Sequence, residues 1–364
     1  MPTNNGMPRA EILFKGLGTS AVKRGERGTE GLILKDSTPG ENKLKYKSIS
    51  DFTSEEQKKF TDENVLFIKD SLEGTPLELY VFKMKEGDVV ADTLNKVKGI
   101  VPRNCWLAIQ SPVSADQDDL ISFIKSENKN NKKRYKGIVY KGTNPDHMHI
   151  VNTTNEKVVF PDARGEVAGH NAIAYLLGFY AGLPLSMSGI AKPTKFVSVQ
   201  EPEDLEKAIA NGEHVLFNDE GVVKVARSVN SLVTLTQDVA IEMTHINTVE
   251  KIDFMYTDIL KAWNDGYKGK YPNVLDNQML FISAVNGYFK TLSRNYILDS
   301  NFANKTGIDI EAQRIANYPK YGEDVVNSWD DAYAMKMTAG TSVFLKANIK
   351  IAGIMEDLFF DIFM

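Results

Sequence analysis

The chain has 364 residues, 42% of them hydrophobic and 25% charged, with a formal net charge of −5 at pH 7. That is enough apolar material for a sizeable core shared between two domains, and the mild acidity offers no footprint for a nucleic-acid partner. No run approaches about eighteen consecutive apolar residues, which argues against a membrane-spanning helix. The opening MPTNNGMPRAEILFKG lacks the apolar core of a secretory leader. Cys105 is the only cysteine, so an intrachain disulfide is ruled out and synthesis in a reducing compartment is expected.

Residues 1–22 read as an extended arm. Residues 1–8 are polar, Ile12, Leu13 and Phe14 mark a short strand, and glycines at 16, 18, 25, 28 and 31 are mixed with Lys23, Arg24 and Arg27. Residues 31–35 open the first full strand. Ser54 and Gln57 have capping-box spacing, and Val65, Ile68 and Leu72 mark the helical face that follows. A strand at 77–84, a helix at 88–97 and an apolar strand at 105–110 come next. A helix at 116–127 carries Leu120, Phe123 and Ile124, and strands follow at 138–141 and 147–152. Strands alternating with helices over short links predict an α/β layer with a mostly parallel sheet. A helix at 167–181 with small residues (Ala168, Gly169, Ala172, Ala174, Gly178) is ended by Gly182 and Pro184. Residues 183–193 then read as a linker, giving an outer α/β domain over 23–193.

The second half reads as α+β over 194–342. A short helix at 203–211 precedes a hairpin of 214–218 and 222–228. Ile246, Val249, Ile252, Met255, Ile259 and Trp263 define one long amphipathic helix; Met279, Ile282, Val285, Phe289, Leu292 and Tyr296 define another. Residues 301–310 read as a strand and 328–337 as a helix. In 341–351, TSVFLKANIKI, the residues Val343, Leu345, Ala347, Ile349 and Ile351 alternate with Lys346, Asn348 and Lys350, the mark of a half-buried strand. Leu358, Phe359, Phe360, Ile362, Phe363 and Met364 crowd the residues after it, so 343–364 reads as a second arm. Ordering ten residues costs about 10–20 kcal/mol, while burying five or six apolar side chains returns about 8–18 kcal/mol. Such an arm is loose alone and ordered when docked, either on the chain's own sheet or on the sheet edge of another copy.

Catalytic motifs are missing. A phosphate loop would need G-x-x-x-x-G-K-[ST], which is absent, and Gly16-Leu17-Gly18 is a fragment of a dinucleotide fingerprint at most. The nucleophile elbow G-x-S-x-G is not present. Cys105 in an apolar strand reads as inert. His147 and His149 would share one face of a strand, but no third ligand stands at a recognisable spacing. Asp118 with Asp119, and Asp330 with Asp331, are adjacent and splay apart on a helix. Lys129, Lys132, Lys133, Arg134 and Lys136 read as a solvated loop, with contact to an acidic partner as the alternative.

Four segments in order carry a resemblance. GVVKVARSVNSLVTLT (221–236), YPNVLDNQMLFISAVNGYFKTL (271–292), GIDIEAQR (307–314) and TAGTSVFLKANIKIAGIMEDLFFDI (338–362) resemble the contractile phage tail sheath proteins. The similarity is greatest to the short sheaths of Gram-positive myophages and phage-tail-like bacteriocins. AGLPLSMSGI (181–190) is similar to the segment joining the two halves in that family. The resemblance implies a two-domain subunit, α/β and α+β, with extended strand arms at both ends. It implies no active site and no cofactor, and assembly as stacked hexameric rings around an inner tube. The implied partners are further copies of the chain, the tail tube protein, and baseplate and tail terminator proteins, with no nucleic acid and no membrane insertion. It further implies assembly in a bacterial host cytoplasm, as part of a virion or a released particle that contracts to drive the tube through an envelope.

On this basis the arm residues are Ile12, Leu13, Phe14, Val343, Leu345, Ile349, Ile351, Leu358, Phe360 and Ile362. Gly16, Gly18, Gly340 and Gly353 are the hinge candidates, and Trp329, Tyr333 and Lys336 are the tube-contact candidates. The competing reading is a soluble α/β enzyme or binding protein whose last strand stays in its own sheet, with a polar pocket near His147, His149 or His170.

Overall fold

A computed structural model describes residues 28–85 and 87–363. These divide into two compact units, one of residues 28–254 with 354–363 and the other Met255–Gly353. Ile12, Leu13, Phe14, Gly16 and Gly18 lie outside the described residues.

The first unit opens with strands β1 (Thr29–Lys35) and β2 (Lys43–Tyr46), then helices α1 (Ser54–Gln57) and α2 (Asp62–Glu73). Strand β3 (Glu78–Met84), helix α3 (Val90–Val97), β4 (Trp106–Gln110), α4 (Ser114–Asn131), β5 (Lys136–Tyr140) and β6 (Ile150–Thr153) follow. The alternation read from the sequence is thus present, and it produces the expected parallel sheet. Strand β1 is interior and pairs parallel with both β3 and β4, β4 with β5, and β5 with β6. Strand β2 closes one edge antiparallel to β3.

Helices cover both faces, which is why the strands are apolar almost throughout. Leu32 and Leu34 of β1 enter a core with Ile68 and Leu72 of α2, whereas Ile33 enters one with Leu94 of α3 and Ile124 of α4. The first core is completed by α5 (Ile173–Gly182), nine of whose residues are buried. Its approach to α2 is unusually close. A Cβ on Gly178 would stand 1.8 Å from the Ser71 carbonyl oxygen, and one on Gly182 would stand 1.7 Å from that of Gly74. No side chain fits at either place.

Between β6 and α5 lie β7 (Lys157–Val159) and β8 (Glu166–Ala168); β9 (Ser198–Val199) joins β7 to form a three-stranded sheet. Helix α6 (Leu205–Ala210) leads to β10 (Glu213–His214), and β11 (Leu216–Asp219) and β12 (Val222–Val225) form the anticipated hairpin. Its turn residues Glu220 and Gly221 have φ of 50° and 83°, the mirror-image turn that suits a twisted hairpin.

A domain boundary near Pro193 is not where the packing divides. Residues after it return to the first sheet, where β10 pairs parallel with β6. The Asn155 side chain bonds both backbone groups of Leu216, at 2.8 and 2.9 Å. The linker composition was real, but long-range pairing of this kind leaves no local mark in the sequence.

Helix α7 (Ile246–Ala262) runs into a single π-helical turn, Trp263–Tyr267, in the second unit. Helix α8 (Leu275–Arg294) follows, then β13 (Lys305–Ile308), α9 (Ile310–Tyr321), α10 (Glu323–Asn327), α11 (Asp331–Lys336) and β14 (Leu345–Asn348). Ile282, Val285, Phe289 and Leu292 of α8 are buried as expected and Phe281 is buried with them, but Met279 is exposed and Tyr296 lies beyond the helix. The expected strand at 301–310 is shorter. Asp309 accepts a hydrogen bond from the Ala312 backbone and starts α9, a helix the sequence reading did not separate. From α9, Gln313 and Asn317 donate to the carbonyls of Ala334 and Met337 and so hold α11 in place.

The glycine contact generates a paired prediction for urea unfolding. Gly178→Ala should lose about 2–3 kcal/mol by overpacking. Gly287→Ala, on α8 with nothing within 4 Å of its added carbon, should gain about 0.5–1 kcal/mol from helix propensity. Equal midpoints for the two variants would contradict the close contact between α2 and α5.

Candidate functional site: an unfinished sheet and a buried ion cluster

The residues singled out as arm, hinge and tube contact lie mainly in the second unit. There β13 and β14 form a two-stranded antiparallel ribbon with Thr306 opposite Ala347 and Ile308 opposite Leu345. Asn286 of α8 pins it, donating to the Thr306 carbonyl at 3.1 Å and accepting from the Thr306 N–H at 2.8 Å. Beyond Asn348 the ladder stops, because β13 begins at Lys305 and a turn precedes it. One isolated bridge, Leu298 with Ile351, continues the pairing, and the Lys350 N–H donates to Asn304 at 2.8 Å. The alternation in 341–351 therefore overstates the regular strand, which is four residues long.

Val343, Leu345, Ile349 and Ile351 are half-buried, as their pattern demands. One side of β14 is taken by β13; among the described residues its other edge has no partner strand. Two-stranded ribbons are marginal on their own. Gly340 has φ of 53° in the turn before the ribbon, and its carbonyl accepts from Asn273 at 2.9 Å. Gly353 has nothing within 4 Å of a built Cβ.

In residues 354–363, assigned to the first unit, no strand forms. Leu358, Phe360 and Ile362 do not continue the ladder; they stand 87%, 75% and 72% exposed. The segment is held at its start by Arg227, whose guanidinium grips Asp357 at 2.7 and 3.0 Å, with Glu356 3.9 Å away. The hydrogen bonds from Arg227 hold the Asp357 carboxyl below the usual aspartate range. Sequence reasoning missed this clamp, since nothing local links positions 130 residues apart.

The helix expected at 328–337 is only Asp331–Lys336, capped by Asp330 through the Tyr333 N–H. Trp329 precedes it and stacks edge-on between Tyr321 and Tyr333, at 5.4 Å from each. Tyr333 and Lys336 are exposed.

The histidine pair and the basic run turn out differently. His149 is 2% exposed and its Nε2 lies 3.0 Å from Asp253 of α7. Both histidines precede β6 and so share no strand face; the His147 Nδ1 accepts the His149 N–H. Burial, then the neighbouring His149, pushes the His147 pKa down to about 4. No group of three or more metal-ligating side chains occurs among the described residues.

Lys136, read as part of a solvated loop, is 2% exposed. Its ammonium lies 2.6 Å from Glu250 and 3.6 Å from Asp253, with Arg134 3.8 Å from Asp253. Burial would lower the lysine's pKa, but the two carboxylates raise it overall. Burial raises Glu250. Burial also acts to raise Asp253, yet His149 and Lys136 bring it below its ordinary value. The cluster sits where β4 and β5 begin. Ligands of open α/β sheets lie at the opposite, carboxyl end of the strands. There Gln110 and Gln117 spend their amides on backbone carbonyls, and Asp116 pairs with Lys35 at 2.5 Å. Cys105 is fully buried, and burial pushes its thiol well up.

Residues 238–364 match the family described as phage tail sheath C-terminal domain. Over 368 residues, 97% of this chain and 98% of the relative, the sequence is 26% identical to a tail sheath protein of Clostridium phage phiCD119. The fold is similar to the crystal structure of a sheath tail protein from Listeria innocua, at TM-score 0.68 and 14% identity, covering 83% of this chain and 93% of that one. It is also similar to the helical sheath of the anti-feeding prophage in its contracted state, at TM-score 0.65 and 12% identity, covering 100% and 99%.

The ion cluster yields a stability prediction. Lys136→Met removes the cation facing Glu250 and one of the partners of Asp253, and should cost about 3–5 kcal/mol; adding Glu250→Gln should recover part of it. On the acid side, Asp253 contributes in full above its ordinary value of 3.8, and the contribution is lost as pH falls through its lower folded value. Glu250 acts in the other direction: it favours folding below 4.5 and loses that contribution as pH rises through its raised value. Asp253→Asn should therefore flatten the acid limb of a stability–pH curve; an unchanged limb would place the carboxylate outside the network.

Proposed function

We infer that this chain is the subunit of a contractile tail sheath, with residues 238–364 as its phage tail sheath C-terminal domain. It acts as a mechanical part of a virion or phage-tail-like particle. Its task is to polymerise, hold an extended arrangement and shorten, with subunits remaining linked throughout.

The finer reading concerns how copies are joined. Stacked six-membered rings around a tail tube, ending on baseplate and terminator proteins, are the assembly we propose. In it β14 offers its open edge to a strand from a neighbouring copy, and 343–364 reaches outward as a linking arm. One observation carries this reading: a chain with well-filled cores leaves Met355, Leu358, Phe359, Phe360, Ile362 and Phe363 between 72% and 97% exposed. An uncovered apolar series of this length is a contact surface awaiting a partner. Gly340 and Gly353 border the ribbon at its two ends and are the proposed hinges. Trp329, Tyr333 and Lys336 present an aromatic and basic patch that we assign to the tube. Residues 1–22 are assigned as the N-terminal linking arm. The candidate boundaries at 193 and 342 remain a proposal for how the family's two halves map onto this chain.

Assembly of the purified chain, seen by negative-stain electron microscopy, should give long striated cylinders. Removal of residues 358–364 should abolish them while leaving the urea midpoint unchanged, because Leu358, Phe359, Phe360, Ile362 and Phe363 are 72–94% exposed. Normal cylinders from the truncated protein would remove the arm from the mechanism.

A further inference from the structure

The second unit contains an aromatic groove that the strand-exchange reading does not use. At the end of α7 the chain widens into the π-helical turn Trp263–Tyr267, a distortion that often marks a functional position. Trp263 and Tyr267 stack with their planes 5° apart, and each packs edge-on against Phe281 of α8, at 5.2 and 4.8 Å. With these three rings as floor, and Tyr271 and Gln278 beside them, a hollow of about 580 Å³ is formed. Small-molecule clefts span roughly 300–1,000 Å³. Lys268 is the single charged residue among those lining it.

The polar part of the groove is made of amides. The Asn273 amide donates to two carbonyls, those of Gly340 and Ser342, at 2.9 and 3.0 Å. Both its hydrogens are thereby committed, so its side-chain oxygen can act only as an acceptor, and it takes an N–H of Gln278 at 2.7 Å. This fixes which way round the Gln278 amide sits. Its nitrogen faces Asn273, and its Oε1 has no hydrogen-bond partner among the described residues, although Gln278 is only 3% exposed. Buried acceptors are ordinarily paired, and the groove is where a donor can reach this one.

We propose that this groove binds a neutral sugar ring, a pyranose unit of a saccharide. The lining sets three requirements: a donor for Gln278, an apolar face for the rings, and little charge. A pyranose meets all three. Its hydroxyls donate to the amide oxygen, and the slightly positive C–H bonds of one face lie against the negative faces of the tryptophan and tyrosine rings. Apolar side chains and proline-rich segments fail the first requirement, because neither brings a donor. A nucleotide would satisfy the rings and the amide, but its phosphate charge would have Lys268 alone to match it. The site is distinct from the backbone edge of β14, and the proposal does not depend on assembly.

Titration calorimetry on the full chain tests the proposal. The probes are maltotriose, built of glucose, and chitotriose, built of N-acetylglucosamine; decaproline and AMP are the comparison ligands. Saturable binding of at least one trisaccharide is expected, and the tighter of the two identifies the kind of sugar. Tyr271→Ala, at a position 52% exposed, should weaken that binding by about tenfold through loss of one ring face. Gln278→Met, with its fold checked by circular dichroism, should weaken it by a similar factor; if that variant does not fold, Tyr271→Ala decides alone. Tyr296→Ala, 76% exposed and outside the groove, should leave the affinity within about twofold. No saturable heat from either trisaccharide overturns the proposal, as does binding that survives Tyr271→Ala or tighter binding of decaproline or AMP. Electron microscopy of the same sample reads the sheath assignment separately, since cylinders form or fail without regard to the sugar.

Discussion

An ammonium group kept from water must be matched by carboxylates at close range, and Lys136 finds them on the first turns of α7. Removing ions from solvent costs several kcal/mol each, which close geometry has to offset. Glu250 at 2.6 Å does most of this, with Asp253 shared between Lys136, Arg134 and His149. Apolar contacts from Ile246 and Val249 would tolerate a shift of the helix along the sheet; a buried charge would not. The arrangement therefore specifies where α7 lies against the amino ends of β4 and β5, and it seals that end of the sheet. At the carboxyl end Gln110 and Gln117 donate to backbone carbonyls and Asp116 pairs with Lys35, and the sheet forms the frame of the first unit.

Much of this frame was legible in the sequence. Leu32, Ile33 and Leu34 form a continuous apolar run because both faces of β1 are covered, and such a run between helical periods marks a parallel strand. The glycine-rich character of α5 was visible too, although that its glycines touch the backbone of α2 is a property of the fold. Lys136 was misread because a basic run is usually solvated, and its partners lie more than a hundred residues away. That the packing divides after Phe254 rather than near position 193 has the same cause. The pairing of β10 with β6 and the bonding of Asn155 to Leu216 are long-range events that composition does not encode. At the other end, the apolar crowding in 354–363 was visible, while the alternation in 341–351 overstated a strand that is regular only over Leu345–Asn348.

The two units differ in how completely they satisfy themselves. The first buries its apolar helices and strands on both faces of a seven-stranded sheet. The second has a two-stranded ribbon, a groove floored by three rings and a patch around Trp329 that remain open to further contacts. This asymmetry agrees with the assembling subunit proposed above, in which contacts of the second unit are completed by further copies. Side chains such as Asn286, which bonds both backbone groups of Thr306, and Arg227, which grips Asp357, fix the starting points of the segments that extend from the body.

The widened turn at Trp263–Tyr267 carries one consequence of its own. A π turn holds one residue more than an α-helix of the same rise would use, and each residue of an α-helix advances the side chains by about 100°. Deleting any single residue there would let the helix relax to ordinary winding and swing Tyr267 away from Phe281. The stacked floor would be dismantled with every ring still present. Chain length at this point is thus as much a determinant of the surface as side-chain identity, and insertions or deletions there should be tolerated less than most substitutions.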